Sequence, residues 1–360
     1  MITPSLEKLR QKIQAENLDA FLVTQMENRR YLSGFSGSSG ALLITADRQI
    51  ILTDSRYYQQ VGQEAPEWEL AEAGYDWPGY LAENLAGFGL HQAKIGFEAE
   101  AVSVAAFNKW REVLTDVTLR ETSGLVMALR VSKTADELTA IRKAVALADR
   151  AMAHIYQWIQ PGMTEKQVAW ELEVFMRAQG ASALSFETIV AFGPNTALPH
   201  ATPTDRACQL GDVALIDMGC VVDGYCSDIT RTFSLGEPAD SRFMEIWRLV
   251  FNANAVAAAA ISAGTTSLAA DAYARDIIKA AGYGDYFGHG LGHGVGLAVH
   301  EAPKVSYTSE DAIPVGAVIT IEPGVYLPGD FGARLEDMAL VTENGLEILT
   351  GVPKIDILFR

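Results

Sequence analysis

Apolar and polar positions change period along this chain, and the changes mark its elements. Over residues 4–16 the apolar side chains return every three or four positions, which predicts a helix, and the short apolar run 20–24 predicts a buried strand. Strand-like runs recur at 41–45, 50–53 and 94–98, with helical stretches near 56–63 and 102–113. Strands alternating with helices predict a small α/β domain through about residue 124. Within it, residues 34–40 (GFSGSSG) read as a glycine-serine loop opening a strand. The loop lacks the Lys-Ser/Thr that a phosphate loop places after its glycines, so a nucleotide reading has little behind it.

A boundary falls near 129–133, predicting domains 1–129 and 130–360. Just past it, Thr134 and Glu137 form a capping box. Apolar residues then recur at Leu138, Ile141, Val145, Ala148, Met152 and Ile155, an amphipathic helix that Pro161-Gly162 ends. An internal echo follows. Gly162-Met163-Thr164 leads a helical run closing at Gly180, and Gly264-Thr265-Thr266 leads another closing at Gly282, at an offset of 102 residues. The same offset carries His200 close to His300 and Asp217 close to Glu322. Two similar α/β halves around a shared site are expected.

Composition narrows the function. With 49% apolar and 20% charged residues the chain can build a large core, and 360 residues suit two domains. A net charge of −17 argues against nucleic acid, whose phosphates call for clustered Lys and Arg. No stretch approaches the roughly 18–20 apolar residues of a membrane span. The first residues, MITPSLEKLRQK, hold no signal-peptide apolar core, so a cytoplasmic location is expected. Three cysteines, Cys208, Cys220 and Cys226, fit reduced and buried thiols, not a disulfide framework or a zinc-thiolate site.

The chemistry gathers in the last 150 or so positions. Val213–Met218 is a buried-strand pattern and 225–233 a second strand, with the hairpin turn Asp223-Gly224 between them. Asp217 and Asp228 then project from one face, and two carboxylates placed together repel unless something positive lies between them. The glycine-rich segment GHGLGHGVG carries His289 and His293, and His300-Glu301 follows. Four of the six histidines, His200, His289, His293 and His300, fall between positions 200 and 300. Glu322 ends an apolar strand (ITIEPGVY), and alternation in ARLEDMALV places Arg334, Glu336 and Met338 on one strand face. Taken singly, a histidine is more often a satisfied core residue and Glu336 could be half of an Arg–Glu pair. Together, four carboxylates and an imidazole suit a pair of hard divalent cations, which can activate a water and clamp a carbonyl.

The motifs DMGCVVDGYCSDITRTF, GHGLGHGVGLAVHE, TIEPGVY and RLED resemble the metal-dependent pita-bread peptidases, in the Xaa-Pro aminopeptidase and prolidase branch that carries an extra N-terminal domain. The resemblance covers the last 230 or so residues strongly and the first domain more loosely. It implies an α/β (α+β) chain, with a pita-bread catalytic domain of pseudo-twofold halves after a smaller creatinase-like domain. It implies that Asp217 chelates one metal, that Asp228 and Glu336 bridge both, and that His293 and Glu322 complete the second site. Mn²⁺ is the first choice of metal, with Co²⁺ or Zn²⁺ as alternatives. It further implies a bridging water as nucleophile and Glu322 as proton shuttle. His200 and His300 would steady the substrate and its oxyanion, His289 would line the pocket, and Arg334 would hold a carboxylate or support the bridging glutamate.

One departure concerns the proline pocket: Ala201 follows His200 where relatives often carry an aromatic, and Phe192 is a candidate lining residue instead. A methionine aminopeptidase is disfavoured by the extra domain. A metal-free creatinase-like enzyme or a binding module is disfavoured because no ligand position is lost. The expected partner is a proline-containing peptide, and a homodimer is expected by analogy with the family. GFSGSSGALLI and LTDSRYY incline the reading to Xaa-Pro aminopeptidase, with prolidase as the alternative.

Overall fold

In the computed structural model, which describes residues 4–359, the chain divides after Arg130 into two units. The first is built on a six-stranded mixed sheet, in the order Glu69–Glu72, Gln49–Thr53, Ala41–Thr45, Ala20–Val23, Lys94–Glu98, Thr118–Thr122. Its central strands are apolar on both faces. Leu22, Leu43 and Leu52 enter one core, and Phe21, Leu42 and Ile51 enter another, so both faces are covered. The structure adds elements that the apolar pattern does not mark: the helices Met26–Ser33 and Trp77–Asn84, and the edge strands Glu69–Glu72 and Thr118–Thr122.

The second unit repeats itself. Thr134 and Glu137 close a capping box at the head of the helix Ala135–Trp158, and a second box, Thr164 with Gln167, heads Glu165–Ala178. The helices Phe243–Ala260 and Ser267–Ala280 follow in the same order. Glu165–Ala178 and Ser267–Ala280 are both 14 residues long and stand 102 positions apart. In the first half, Leu147, Ile155, Val168 and Leu172 bury against Val190, Ile216 and Phe233 of a four-stranded sheet. In the second half, Ile246, Val250, Ala274 and Ile278 bury against Ile319, Ala339 and Val341 of a five-stranded sheet. Apolar burial at both helix–sheet interfaces supplies most of the driving force for each half. Among the described residues no helix is long and apolar enough to cross a membrane.

Candidate active site and metal centre

The chain does not hold its acidic side chains on uninterrupted strands. Asp217 alone lies inside one, Val213–Met218, opposite Thr230 of Ile229–Leu235. The expected strand 225–233 is broken: Tyr225–Cys226 ends, Ser227 and Asp228 lie outside both strands, and regular pairing resumes at Ile229. The Asp223-Gly224 turn forms with both residues at positive φ (52° and 86°), the primed geometry that suits a tight hairpin. Gly219 lies opposite the break, where a Cβ would come within 1.9 Å of the Ser227 carbonyl oxygen. Glu322 occupies the gap between Val318–Ile321 and Gly324–Leu327. Glu336 occupies the gap between Phe331–Arg334 and Asp337–Thr342, so the expected single strand face carrying Arg334, Glu336 and Met338 does not exist. Its two ends belong to different sheets. His293 sits at a bulge in Gly292–Gly294, between glycines whose Cβ atoms would each lie 2.2 Å from a neighbouring carbonyl oxygen.

These breaks bring one ligand atom each of Asp228, His293 and Glu336 within 4.8 Å of one another. His293 Nε2 lies 3.6 Å from Asp228 Oδ2 and 3.4 Å from Glu322 Oε1. Asp217 lines the same cleft, outside this closest trio.

Two observations test whether a cation fits. His293 Nδ1 hydrogen bonds to the Gly294 carbonyl at 3.1 Å, so the proton of the neutral ring sits there and the Nε2 lone pair faces the carboxylates. Asp217 Oδ1 is buried with no hydrogen-bond partner, while its Oδ2 accepts from Arg334 at 2.6 Å. Lone pairs from an imidazole and several carboxylates therefore converge on one space. Oxygen-rich donors with one imidazole fit a hard divalent ion.

The electrostatics agree. Burial, then repulsion from Glu336, pushes the Asp228 carboxyl well above its ordinary value. Burial, then Glu322, does the same to Glu336. Burial lifts Glu322 to about 7, against the opposing pull of Arg334. The His293 and His300 rings are pushed down, first by burial, which keeps them neutral. A cation would reverse the penalty on every carboxylate at once.

His200, His289, His293 and His300 all face one cleft of about 420 Å³ together with the four carboxylates. The rings of His293 and His300 meet edge to face at 4.3 Å between centroids. Sequence reasoning missed Tyr326 and Thr230, the hydroxyls that join the set. Arg334 donates to Tyr326 Oη (2.7 Å), Thr230 Oγ1 (3.0 Å) and the Pro199 carbonyl (3.2 Å). Thr230 Oγ1 in turn donates to Glu336 Oε2 at 2.8 Å. Arg334 therefore braces Asp217 directly and Glu336 through Thr230.

His289 has both nitrogens engaged, Nδ1 with the Gly290 carbonyl (2.8 Å) and Nε2 with Tyr326 Oη (2.9 Å). Since Tyr326 accepts from Arg334, its own proton goes to Nε2, and His289 has no free donor for catalysis. Phe192, expected near the proline pocket, is fully buried in the core, whereas Phe186 and Ile189 line the cleft. Strand Ile189–Phe192 alternates faces, which sends Phe192 away. The three cysteines are free and buried.

A buried carboxylate–imidazole centre with a histidine-walled cleft marks a hydrolytic metalloenzyme. Residues 139–343 match the model of Metallopeptidase family M24, and residues 6–132 match the Creatinase/Prolidase N-terminal domain. An Xaa-Pro dipeptidase of Pyrococcus furiosus is 34% identical over 96% of this chain and 97% of its own length. A solved Xaa-Pro dipeptidase from Bacillus anthracis is 39% identical, with a TM-score of 0.94 over 98% of each chain. The X-Pro aminopeptidase from Thermotoga maritima is 37% identical, with a TM-score of 0.88 over 96% of this chain and 99% of that one. The chain belongs to Metallopeptidase family M24 and is a metallopeptidase, with the pita-bread catalytic fold behind a creatinase-type N-terminal domain.

Proposed function

We propose that this enzyme hydrolyses the bond between an N-terminal residue and proline, and that Xaa-Pro dipeptides are its preferred substrates. The carrying observation is the His293 Nε2 lone pair turned toward Asp228 and Glu322 beside the unpartnered Asp217 Oδ1. Two divalent cations, Mn²⁺ first, held by Asp217, Asp228, His293, Glu322 and Glu336, would polarise the scissile carbonyl and make a water acidic enough to attack it.

The chain's own groups divide the remaining work. Thr320 Oγ1 steadies Glu322 Oε1 at 3.2 Å, aiming a carboxylate that takes the nucleophile's proton and returns it to the proline nitrogen. That return matters because the leaving nitrogen of a tertiary amide carries no proton of its own. His200 and His300, in the wall of the cleft, donate to the oxygen that gains charge in the tetrahedral intermediate. Phe186, Ile189 and Ala201 give the same cleft an apolar side for a pyrrolidine ring.

The motifs of the first domain inclined the sequence reading to the aminopeptidase. Two of the three relatives named above carry the dipeptidase name, and they support the dipeptide reading instead. Comparing Ala-Pro with Ala-Pro-Ala tests it: kcat/KM for the dipeptide should be higher by about tenfold or more. The reverse order would make the enzyme an aminopeptidase. Homodimerisation and a cytoplasmic location follow from the same family resemblance. Sizing in solution checks the first, and the three free thiols fit the second.

A further inference from the structure

Buried polar residues at equivalent places in the two halves bond to the segments that carry the two histidines proposed to meet the substrate carbonyl. Glu165 is the first residue of its helix, and Ser267, 102 positions later, is the first residue of the matching helix. Both are fully buried. Glu165 Oε1 accepts from the Phe192 N–H and Asn195 Nδ2, each at 2.8 Å. Its Oε2 accepts from the Thr204 N–H at 2.8 Å and Thr204 Oγ1 at 2.5 Å. These donors stand on both sides of His200 in sequence, so one carboxylate clasps the two ends of the loop that presents it. Ser267 Oγ donates to the carbonyls of Lys304 (2.5 Å) and Asp311 (3.1 Å), in the segment that follows His300.

Packing alone does not call for a carboxylate at position 165, because an apolar side chain fills a core more cheaply. Four neutral donors aimed at one buried carboxylate make charge-assisted bonds, reinforced by the helix N-terminus on which Glu165 sits. Such bonds hold a loop in one geometry, and a reacting group needs that.

We propose that Glu165 is a positioning residue for His200, and that Ser267 is its counterpart for His300. The proposal rests on the reading of those two histidines as substrate-facing groups. With six histidines in the chain, the His200 and His300 ring signals are assignable in NMR spectra of metal-free protein by their loss in His200→Asn and His300→Asn. Glu165→Gln should move the His200 signal and leave His300 in place, and Ser267→Ala should do the opposite. In Mn²⁺-loaded enzyme, Glu165→Gln should cut kcat on Ala-Pro by about 10–100-fold. In the His200→Asn background it should cost less than about threefold, and in the His300→Asn background the full amount. Equal movement of both signals, or equal cost in both backgrounds, would overturn the proposal. If Glu165→Gln does not fold, Thr204→Val removes one of the four donors to Glu165, together with the hydroxyl that accepts from the Arg206 N–H, and carries the same comparisons. A wild-type enzyme without turnover of Ala-Pro would sink the function reading, while the ring signals would still decide the positioning claim.

Discussion

Arg334 Nη2 donates to Asp217 Oδ2 at 2.6 Å, and this pairing decides which oxygen of the aspartate is left for a cation. The same guanidinium reaches Tyr326, Thr230 and Pro199, a fan of contacts that only a planar fork can make. Arg334→Lys keeps the charge and loses the fan. Activity or metal affinity should fall by about 10–100-fold, since outer partners orient the ligands. Titration of Mn²⁺ into the variant and steady-state kinetics check this, and wild-type values for both would contradict it.

Tyr326→Phe should weaken the fold as much as the site. It removes the proton that satisfies His289 Nε2 and an acceptor for Arg334, all in buried surroundings. A buried polar group left without its partner costs about 1–3 kcal/mol, measurable as a lower urea midpoint. Turnover should fall less than in Arg334→Lys, because Asp217 keeps its own bond.

Metal-free protein should respond to pH in a direction fixed by the carboxylates. Glu322 rises from an ordinary 4.5 to about 7, and Asp228 and Glu336 rise as well. Groups raised on folding contribute stability below their unfolded values and lose it as pH climbs through the folded ones. His289 works on the other flank. Burial lowers it from 6.5 to about 4, so its contribution, present above 6.5, is lost as pH falls through 4. Metal binding needs the carboxylates deprotonated and benefits from rising pH. The gain in Tm on adding Mn²⁺ should therefore grow between about pH 5 and about pH 8. A gain that does not change with pH would contradict the account.

Lys133 and Glu301 form an ion pair at 2.6 Å, with side chains 1% and 7% exposed, next to His300. Lys133→Met takes the cation away from a buried carboxylate and should cost about 3–5 kcal/mol. Adding Glu301→Gln removes the stranded charge and should restore much of the loss, as read from chemical melts of both variants.

How far the sequence reaches differs between the two units and within the site. The helical echo is visible because threonine caps, glycine stops and apolar spacing are local signals, and Thr164 and Thr266 act where that pattern puts them. The acidic set is visible because an aspartate inside VALID or a glutamate inside ITIEPG makes no sense in a core without a partner. The strand breaks at Asp228 and Glu336 are not visible, since there the Asp228 N–H turns to Met338 Sδ and the Glu336 N–H to the Thr230 carbonyl, partners far away along the sequence. Thr230 and Tyr326 lie in ordinary strand patterns, and only the fold turns their hydroxyls to Arg334. In the first unit, Thr118–Thr122 lacks an apolar run because it is an edge strand. Met26–Ser33 is held by polar contacts from afar, among them Asn28 with Glu98 and with Arg130, which no local period encodes.

The most direct measurement of the central claim is turnover of Ala-Pro by enzyme dialysed against a chelator, before and after adding back Mn²⁺ or Co²⁺, in wild type and Asp228→Ala. The account predicts no turnover without metal, recovery in the wild type, and none in Asp228→Ala. Full activity in the metal-free enzyme, or unchanged turnover in Asp228→Ala, would contradict it.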